Sequence, residues 1–496
     1  MGIIRKQAAR SSFGIALGTM LGAVNTILIL PLAFKEFPEG WGLMKVIIAY
    51  GLIFSQICSF GSSTIFVRFS PKYSGQSLSD LHAFALLLPS IGLIILALAF
   101  SFFGGYFISL VNEADAILLQ DKLMLLFVLT AALTYTLALS GYLGSILKTT
   151  LYQTFNELLT KVLYLLISVG YFFDLYDFYT LLVLYIGSYG FIFVAVLIYS
   201  LKQGLRVGSA MKAPEKAEIT RYGLYAILDK GSSILVNNLD IIMIAVMIDL
   251  ENVAYYTLAF YIGSVVLIPQ KALQMIAHPV AAKAIQESDF VLLADVYKRS
   301  ALNQLLIGGF IFLCIWVNVK EIFNLLPDKF GGGQWVVLFI GLSKMFYLMS
   351  GINAGIIVYS AYYRVNFVLN VVLVLITILT NYWLIPLYGV NGAALATAIA
   401  FLIYNAAKTI YVYFKFQIQP IDSKFLLTLI ILIALSISGY FILMPGSSLF
   451  LSIMMKSVLF SGIFVAFVNY LNLAPDLQRF ASEILKKIGE KGRKSS

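Results

Sequence analysis

The strongest constraint on this chain is a series of apolar runs, each about 20 residues or longer. They lie at 11–34, 42–67, 82–110, 122–147, 153–173, 178–201, 222–248, 252–275, 300–319, 335–359, 363–385, 390–414, 424–443 and 448–472. A helix of that length spans the roughly 30 Å hydrocarbon core of a bilayer. Inside hydrocarbon every backbone N–H and C=O must be paired within the segment, which leaves helices or a closed barrel. The runs are too long and too uniformly apolar for alternating barrel strands. With 60% hydrophobic and 12% charged residues among 496, no soluble domain is in prospect. The sequence predicts an all-α polytopic membrane protein with about 14 transmembrane helices. The run after Arg10 continues to Phe34 without an early small-residue cleavage pattern, so it reads as the first membrane helix rather than a signal peptide.

The breaks between runs are physical. They fall at Pro38, the polar cluster Asn112–Asp115, the basic stretch 202–221, Pro327 with Gly331–Gly333, Pro386 and Pro445–Gly446. Lys and Arg concentrate in alternate loops: Arg68 and Lys72; Lys148; Lys202, Arg206, Lys212, Lys216 and Arg221; Lys283, Lys298 and Arg299; Arg364; Lys415 and Lys424. The opposite loops carry Glu36, Glu39, Asp115, Asp174, Asp177, Asp249, Glu321 and Asp328. By the bias of Lys and Arg toward the cytoplasm, both termini are expected to be cytoplasmic.

Shifting the chain by roughly 212 residues superposes several features. Asn25 falls on Asn237, and the turn at Glu39–Gly40 falls on Glu251–Asn252. The expected organisation is a six-helix lobe at 1–201, a basic cytoplasmic linker at 202–221, a second six-helix lobe at 222–415, two extra helices at 416–472 and a basic tail at 473–496. Six helices is an even number, so the two lobes share one orientation, with substrate expected between them.

The seventh run is the one with intramembrane charge: Asp229, Lys230, Asn237, Asn238 and Asp240. At helical spacing Asp229, Ser233, Asn237 and Asp240 form one narrow stripe. Charge in hydrocarbon is costly, so the stripe either faces a wet cavity or glues helices together. Two cysteines, Cys58 and Cys314, give no disulfide framework, and two histidines, His82 and His278, read as surface residues rather than metal ligands.

Four stretches carry a family resemblance. FPEGWGLMKVIIAYGLIFSQICSFGSSTIFVRFSPKY (37–73) resembles the second-helix signature of polysaccharide flippases. NNLDIIMIAVMIDLENVAYYTLAFYIGSVVLIPQKALQMIAHPVAAK (237–283) is similar to the family's Asp-bearing seventh helix and the Tyr-x-x-Ala eighth. IPLYGVNGAALAT, within 360–400, resembles the Gly-rich entry into helix twelve, and TTLYQTFNELLTKVLYLL (149–166) is its paler first-half counterpart. The turn Lys35-Glu36-Phe37-Pro38-Glu39 departs from the family pattern by lacking a Gly before the Pro. The family is the polysaccharide-biosynthesis, or O-antigen, branch of the multidrug/oligosaccharidyl-lipid/polysaccharide (MOP) exporter superfamily. The resemblance implies a MATE-like pair of lobes in a bacterial inner membrane. It implies a flippase for polyprenyl-pyrophosphate-linked oligosaccharide, with membrane lipids, a polysaccharide polymerase and glycosyltransferases as partners, and no nucleic acid.

Such a substrate asks for a cationic and polar cavity that opens sideways to lipid. Among intramembrane lysines, Lys344 and then Lys230 are the expected pyrophosphate partners; Gly351 and Gly355 fall on the helical face of Lys344. Lys45, Lys271, Lys408 and Lys456 lie in the outer thirds of their runs and read as snorkelling side chains. Lys161 follows Glu157 by four residues and reads as half of a helical pair. Asn25, Asn237, Asp229 and Asp240 complete the expected cavity lining, with the carboxylates able to carry a proton or Na+ or to act as counter-ions. No phosphate-binding G-x-x-x-x-G-K-[ST] loop occurs, so no cofactor and no enzymatic activity are expected.

Three rivals remain at this level. A cation-coupled multidrug exporter prefers an acidic, aromatic cavity, which the intramembrane lysines oppose. A lipid II flippase for peptidoglycan also has fourteen helices but an arginine-rich first lobe. A membrane-embedded glycosyltransferase or polymerase wants large outer loops, and here they are short.

Overall fold

The structure, a computed structural model, describes residues 17–109, 113–210, 215–442 and 448–473, apart from the side chains of 113, 114, 228–230, 271, 272 and 363. Among these residues every regular element is helical. Eleven helices are long and apolar enough to cross a membrane. A bent pair, Gln334–Met349 and Asn353–Tyr359, makes twelve if taken as one span. The chain is a multi-pass membrane protein.

Among the described residues this count is close to the expected fourteen and differs from it at two places. The first apolar helix is described only over Leu17–Ala33, which is short of a full crossing. The runs 363–385 and 390–414 join into one element, Arg364–Phe416, of 53 residues. At ~1.5 Å per residue that element would be about 80 Å long if straight, far more than one bilayer. It contains Pro386 and a non-helical Gly389 at φ 57° and ψ −137°. That conformation is one only glycine reaches without strain, so the break is written into the sequence.

Helix ends are set by ordinary capping. The carboxylates of Asp177, Asp289 and Asp422 accept from the backbone N–H of Thr180, Leu292 and Phe425 at 3.0, 2.9 and 2.8 Å. Hydrogen bonds from Thr180 hold the Asp177 carboxyl below its usual range. Pro38 opens the Pro38–Cys58 helix at a position where its missing N–H costs nothing.

Two compact units are present. The first takes the described residues up to Ile262 with Leu326–Val336 and Asn370–Ala400; the second takes Gly263–Leu325, Val337–Leu369 and the described residues from Phe401 on. Within the first unit, helix Lys216–Met247 packs along Pro38–Cys58. Gly61, at φ 69°, sits so close to Gly223 that a Cβ on it would come within 2.4 Å of the Gly223 carbonyl oxygen. Small residues draw helix backbones together where lipid gives no hydrophobic drive.

The stretch after Lys202 is strapped to the first unit. Tyr142 donates to the Gln203 carbonyl at 3.1 Å, and the Ser209 N–H donates to Asp80 at 2.7 Å. His82 Nδ1 meets the Arg206 carbonyl at 3.2 Å. His82 is therefore not the surface residue its place near a helix end suggested: it is 4% exposed and lies between the rings of Phe66 and Tyr142. Further on, Tyr73 donates to Glu215 at 2.8 Å; desolvation first, then that bond, pushes its hydroxyl up to about 12.

Candidate functional site

Helix Lys216–Met247 carries the polar stripe, and the structure divides it. Asn237 is exposed, its amide donating to the Ser233 carbonyl one turn back at 2.7 Å. Asp240, three residues on, is 4% exposed and deeply bonded. Its Oδ2 accepts from Tyr256 at 2.5 Å and from Thr397 at 2.6 Å, and its Oδ1 accepts from the Asn381 amide at 2.8 Å. All four residues belong to the first unit. Three donors thus converge on this buried side chain, two hydroxyls and one amide N–H. The Asn381 Oδ1 has no hydrogen-bond partner among the described residues. The side chains of Asp229 and Lys230 lie outside the described residues.

Asn25 is 3% exposed and opens a π-helical turn, Asn25–Ile29. Its Oδ1 also has no hydrogen-bond partner among the described residues. A second π-helical turn, Phe155–Leu159, contains Glu157 and ends two residues before Lys161. The two helices cross closely. A Cβ on Gly18 would meet the Glu157 carbonyl oxygen at 2.1 Å, and one on Gly22 would meet the Tyr261 hydroxyl at 2.8 Å and the Lys161 stem at 3.6 Å. The small-residue face of the first run is therefore a packing face at Gly18 and a polar crossroads at Gly22.

Lys344 is 5% exposed in the second unit, with its ammonium 5.1 Å from the Phe401 ring centroid. The glycine face expected beside it does not exist as one surface. The helix stops at Met349, turns through Gly351 at φ 58°, and restarts at Asn353 bent by 49°. Gly351 then faces Ser300 and Ala301, and Gly355 faces His278. Two of the lysines read as snorkelling, Lys408 and Lys456, are 2% and 1% exposed. Lys408 donates to Tyr404 at 2.5 Å, and Lys456 pairs with Glu321 at 2.5 Å. A stem that snorkels leaves its ammonium in the headgroup region; these two end inside the protein. No group of three or more His, Cys, Asp or Glu side chains lies together among the described residues.

The backbone defines a class. A solved structure of the lipid II flippase MurJ, in an inward closed conformation, is similar with a TM-score of 0.73 at 15% identity, over 93% of this chain and 99% of that one. An inward-facing multidrug resistance MATE family transporter of the MOP superfamily is similar with a TM-score of 0.62 at 13% identity, over 82% and 98%. A MOP superfamily transporter from Pyrococcus furiosus, described as having a binding pocket of reverse polarity, is similar at 0.54 and 16% identity, over 83% and 96%. The chain thus has the MurJ- and MATE-like all-helical fold. No family model and no curated protein sequence matches it.

Proposed function

We propose that this protein is a flippase that moves a polyprenyl-pyrophosphate-linked oligosaccharide across a bacterial inner membrane by alternating access, in O-antigen, lipopolysaccharide or other surface-polysaccharide synthesis. The observation that carries the reading is the fold match to a lipid II flippase over 93% of this chain and 99% of that one. The MATE transporter match covers 82%. A drug exporter is the weaker reading for a second reason: the interior carries lysines, Lys344 and Lys408 among them, and cationic drugs would be repelled.

The pyrophosphate sets the energetic problem. An anion of about two charges left bare in hydrocarbon costs tens of kcal/mol. A wet cationic site removes most of that cost. Lys344, in the second unit, is the proposed partner, and Lys230 the second candidate; Asn25 and Asn237 are the proposed sugar-contacting amides. A lysine is a compact point charge that releases its ligand, whereas an arginine fork grips phosphate in two places. Asp240 is the proposed carrier of a coupling proton or Na+, because it is a buried carboxylate inside a membrane helix, ringed by the Tyr256 and Thr397 hydroxyls and the Asn381 amide N–H.

The test is surface-glycan complementation of a flippase-null strain, with membrane abundance measured alongside. Lys344→Ala and Lys344→Glu are expected to abolish export at normal abundance, and Lys344→Arg to keep part of it. Full complementation by Lys344→Glu would remove this lysine from the pathway. A second reading, a flippase for lipid II itself, is favoured by the substrate of the MurJ protein that this fold resembles. Rescue of a strain depleted of its lipid II flippase, without rescue of surface glycan, would select it.

A further inference from the structure

Arg68 and Lys72 follow the second apolar run, on the side of the chain where Lys and Arg gather. Both are exposed, and among the described residues neither has a hydrogen bond or an ion pair at its charged end. Each lies instead on an aromatic ring. The Arg68 guanidinium stands 4.1 Å from the Tyr222 ring centroid and 5.8 Å from that of Phe69. The Lys72 ammonium stands 4.8 Å from the Phe69 centroid. The two rings meet edge to face at 5.6 Å, so two cations share one two-ring platform. All four residues belong to the first unit.

The platform is firm and its charge is not cancelled. Phe69 is buried, and Tyr73 donates to Glu215 at 2.8 Å, at the start of the helix that carries Tyr222. That bond engages Glu215; Glu218, the acidic residue of the helix's first turn, pairs with neither cation. A ring takes the flat face of a guanidinium and leaves its in-plane N–H donors free to meet two phosphate oxygens at once. Lys72 adds a compact point charge beside it. The level is that of lipid headgroups. Pro38–Cys58 is 21 residues long, ~30 Å of helix, which already crosses the hydrocarbon core. Ser62–Phe69 and the turn Ser70–Lys72 come after it, so both cations fall beyond hydrocarbon.

We propose that Arg68 and Lys72, mounted on Phe69 and Tyr222, bind the phosphate of an anionic bilayer phospholipid at the cytoplasmic surface. A soluble phosphate gains little from two exposed cations in water. A lipid phosphate is already held at this depth by its acyl chains, so its effective concentration at the site is high.

The probes are phosphatidylglycerol, phosphatidylcholine and inorganic phosphate, titrated against the full chain in detergent micelles and read by native mass spectrometry. Wild type is expected to hold one phosphatidylglycerol about tenfold more tightly than phosphatidylcholine. Arg68→Gln and Lys72→Gln are each expected to weaken that lipid about fivefold. Both side chains are exposed, so the melting temperature should not move. Tyr222 acts by positioning: Tyr222→Leu should weaken the lipid as well, and Tyr222→Phe should not, because the ring face is what holds Arg68. Lys283→Gln, at an exposed surface ion pair, should leave affinity unchanged. Equal affinity for the two lipids, or wild-type phosphatidylglycerol binding by an Arg68→Gln/Lys72→Gln double variant, would overturn the site. Displacement of the lipid by inorganic phosphate at matched concentration would overturn the lipid assignment.

Discussion

At the scale of single residues, Asp240 is the most tightly specified side chain in the first unit. Three donors from three other stretches of chain converge on its two oxygens. Removing the carboxylate strands all three, at about 1–3 kcal/mol for each buried donor left unpaired. Asp240→Ala is therefore expected to lower thermal stability sharply in micelles. Asp240→Asn keeps shape and one acceptor, so it should cost less stability while abolishing any dependence of transport on a proton or Na+ gradient. The check is a melting series beside a gradient-driven flipping assay. An Asp240→Asn variant with unaltered ion dependence would show that the carboxylate only holds helices together. That residue 240 needs polar company was legible, because a carboxylate inside an apolar run always needs an explanation. Its neighbours were not: Asn381 and Thr397 are 141 and 157 residues away, and a polar side chain in a membrane run has no sequence mark for its partner.

At the scale of elements, the apolar runs were legible because bilayer thickness imposes a length that few other constraints mimic. The turn at 350–352 was not, although Gly351 stood in the sequence as its one sign. The run 335–359 reads as continuous, and a lone glycine in a membrane helix is common enough to pass. The two C-terminal helices, Ser423–Phe441 and Leu449–Tyr470, were legible as helices but not in their attachment. Lys456 reaches Glu321 at 2.5 Å, Ser452 donates to the same carboxylate at 3.4 Å, and Lys320 sits 4.0 Å from the Tyr440 ring centroid. The buried pair thus fastens Leu449–Tyr470 to Val319–Asn324 within the second unit. Breaking one partner leaves an uncompensated charge, which costs about 3–5 kcal/mol, while replacing both with apolar groups is often nearly neutral. Lys456→Met and Glu321→Leu are each expected to lower the melting temperature, and the double variant to recover most of the loss. Additive losses in the double variant would mean that the two side chains stabilise the fold independently.

At the scale of the whole molecule, the distribution of charge predicts which loops face which side. Lys and Arg fall in alternate loops, and translocating them across the membrane is disfavoured. The loops holding Asp174 and Asp328 are on the acid-rich side; that holding Lys148 is on the basic side. The cysteine background is manageable, since Cys58 is buried and Cys314 half-buried, and both can be replaced by serine or alanine before labelling. Cysteines introduced at Asp174 and Asp328 should react with a membrane-impermeant maleimide in intact cells with the outer membrane permeabilised. A cysteine at Lys148 should react only after the inner membrane is opened. The labelling pattern bears on mechanism as well as topology. Two loops separated by an odd number of crossings must label oppositely, so the pair Lys148 and Asp174 tests the single crossing by Thr149–Phe172. Labelling of both from the same side would make that helix, and with it Lys161, non-spanning. A lysine on a non-spanning helix has no place in a path across the membrane.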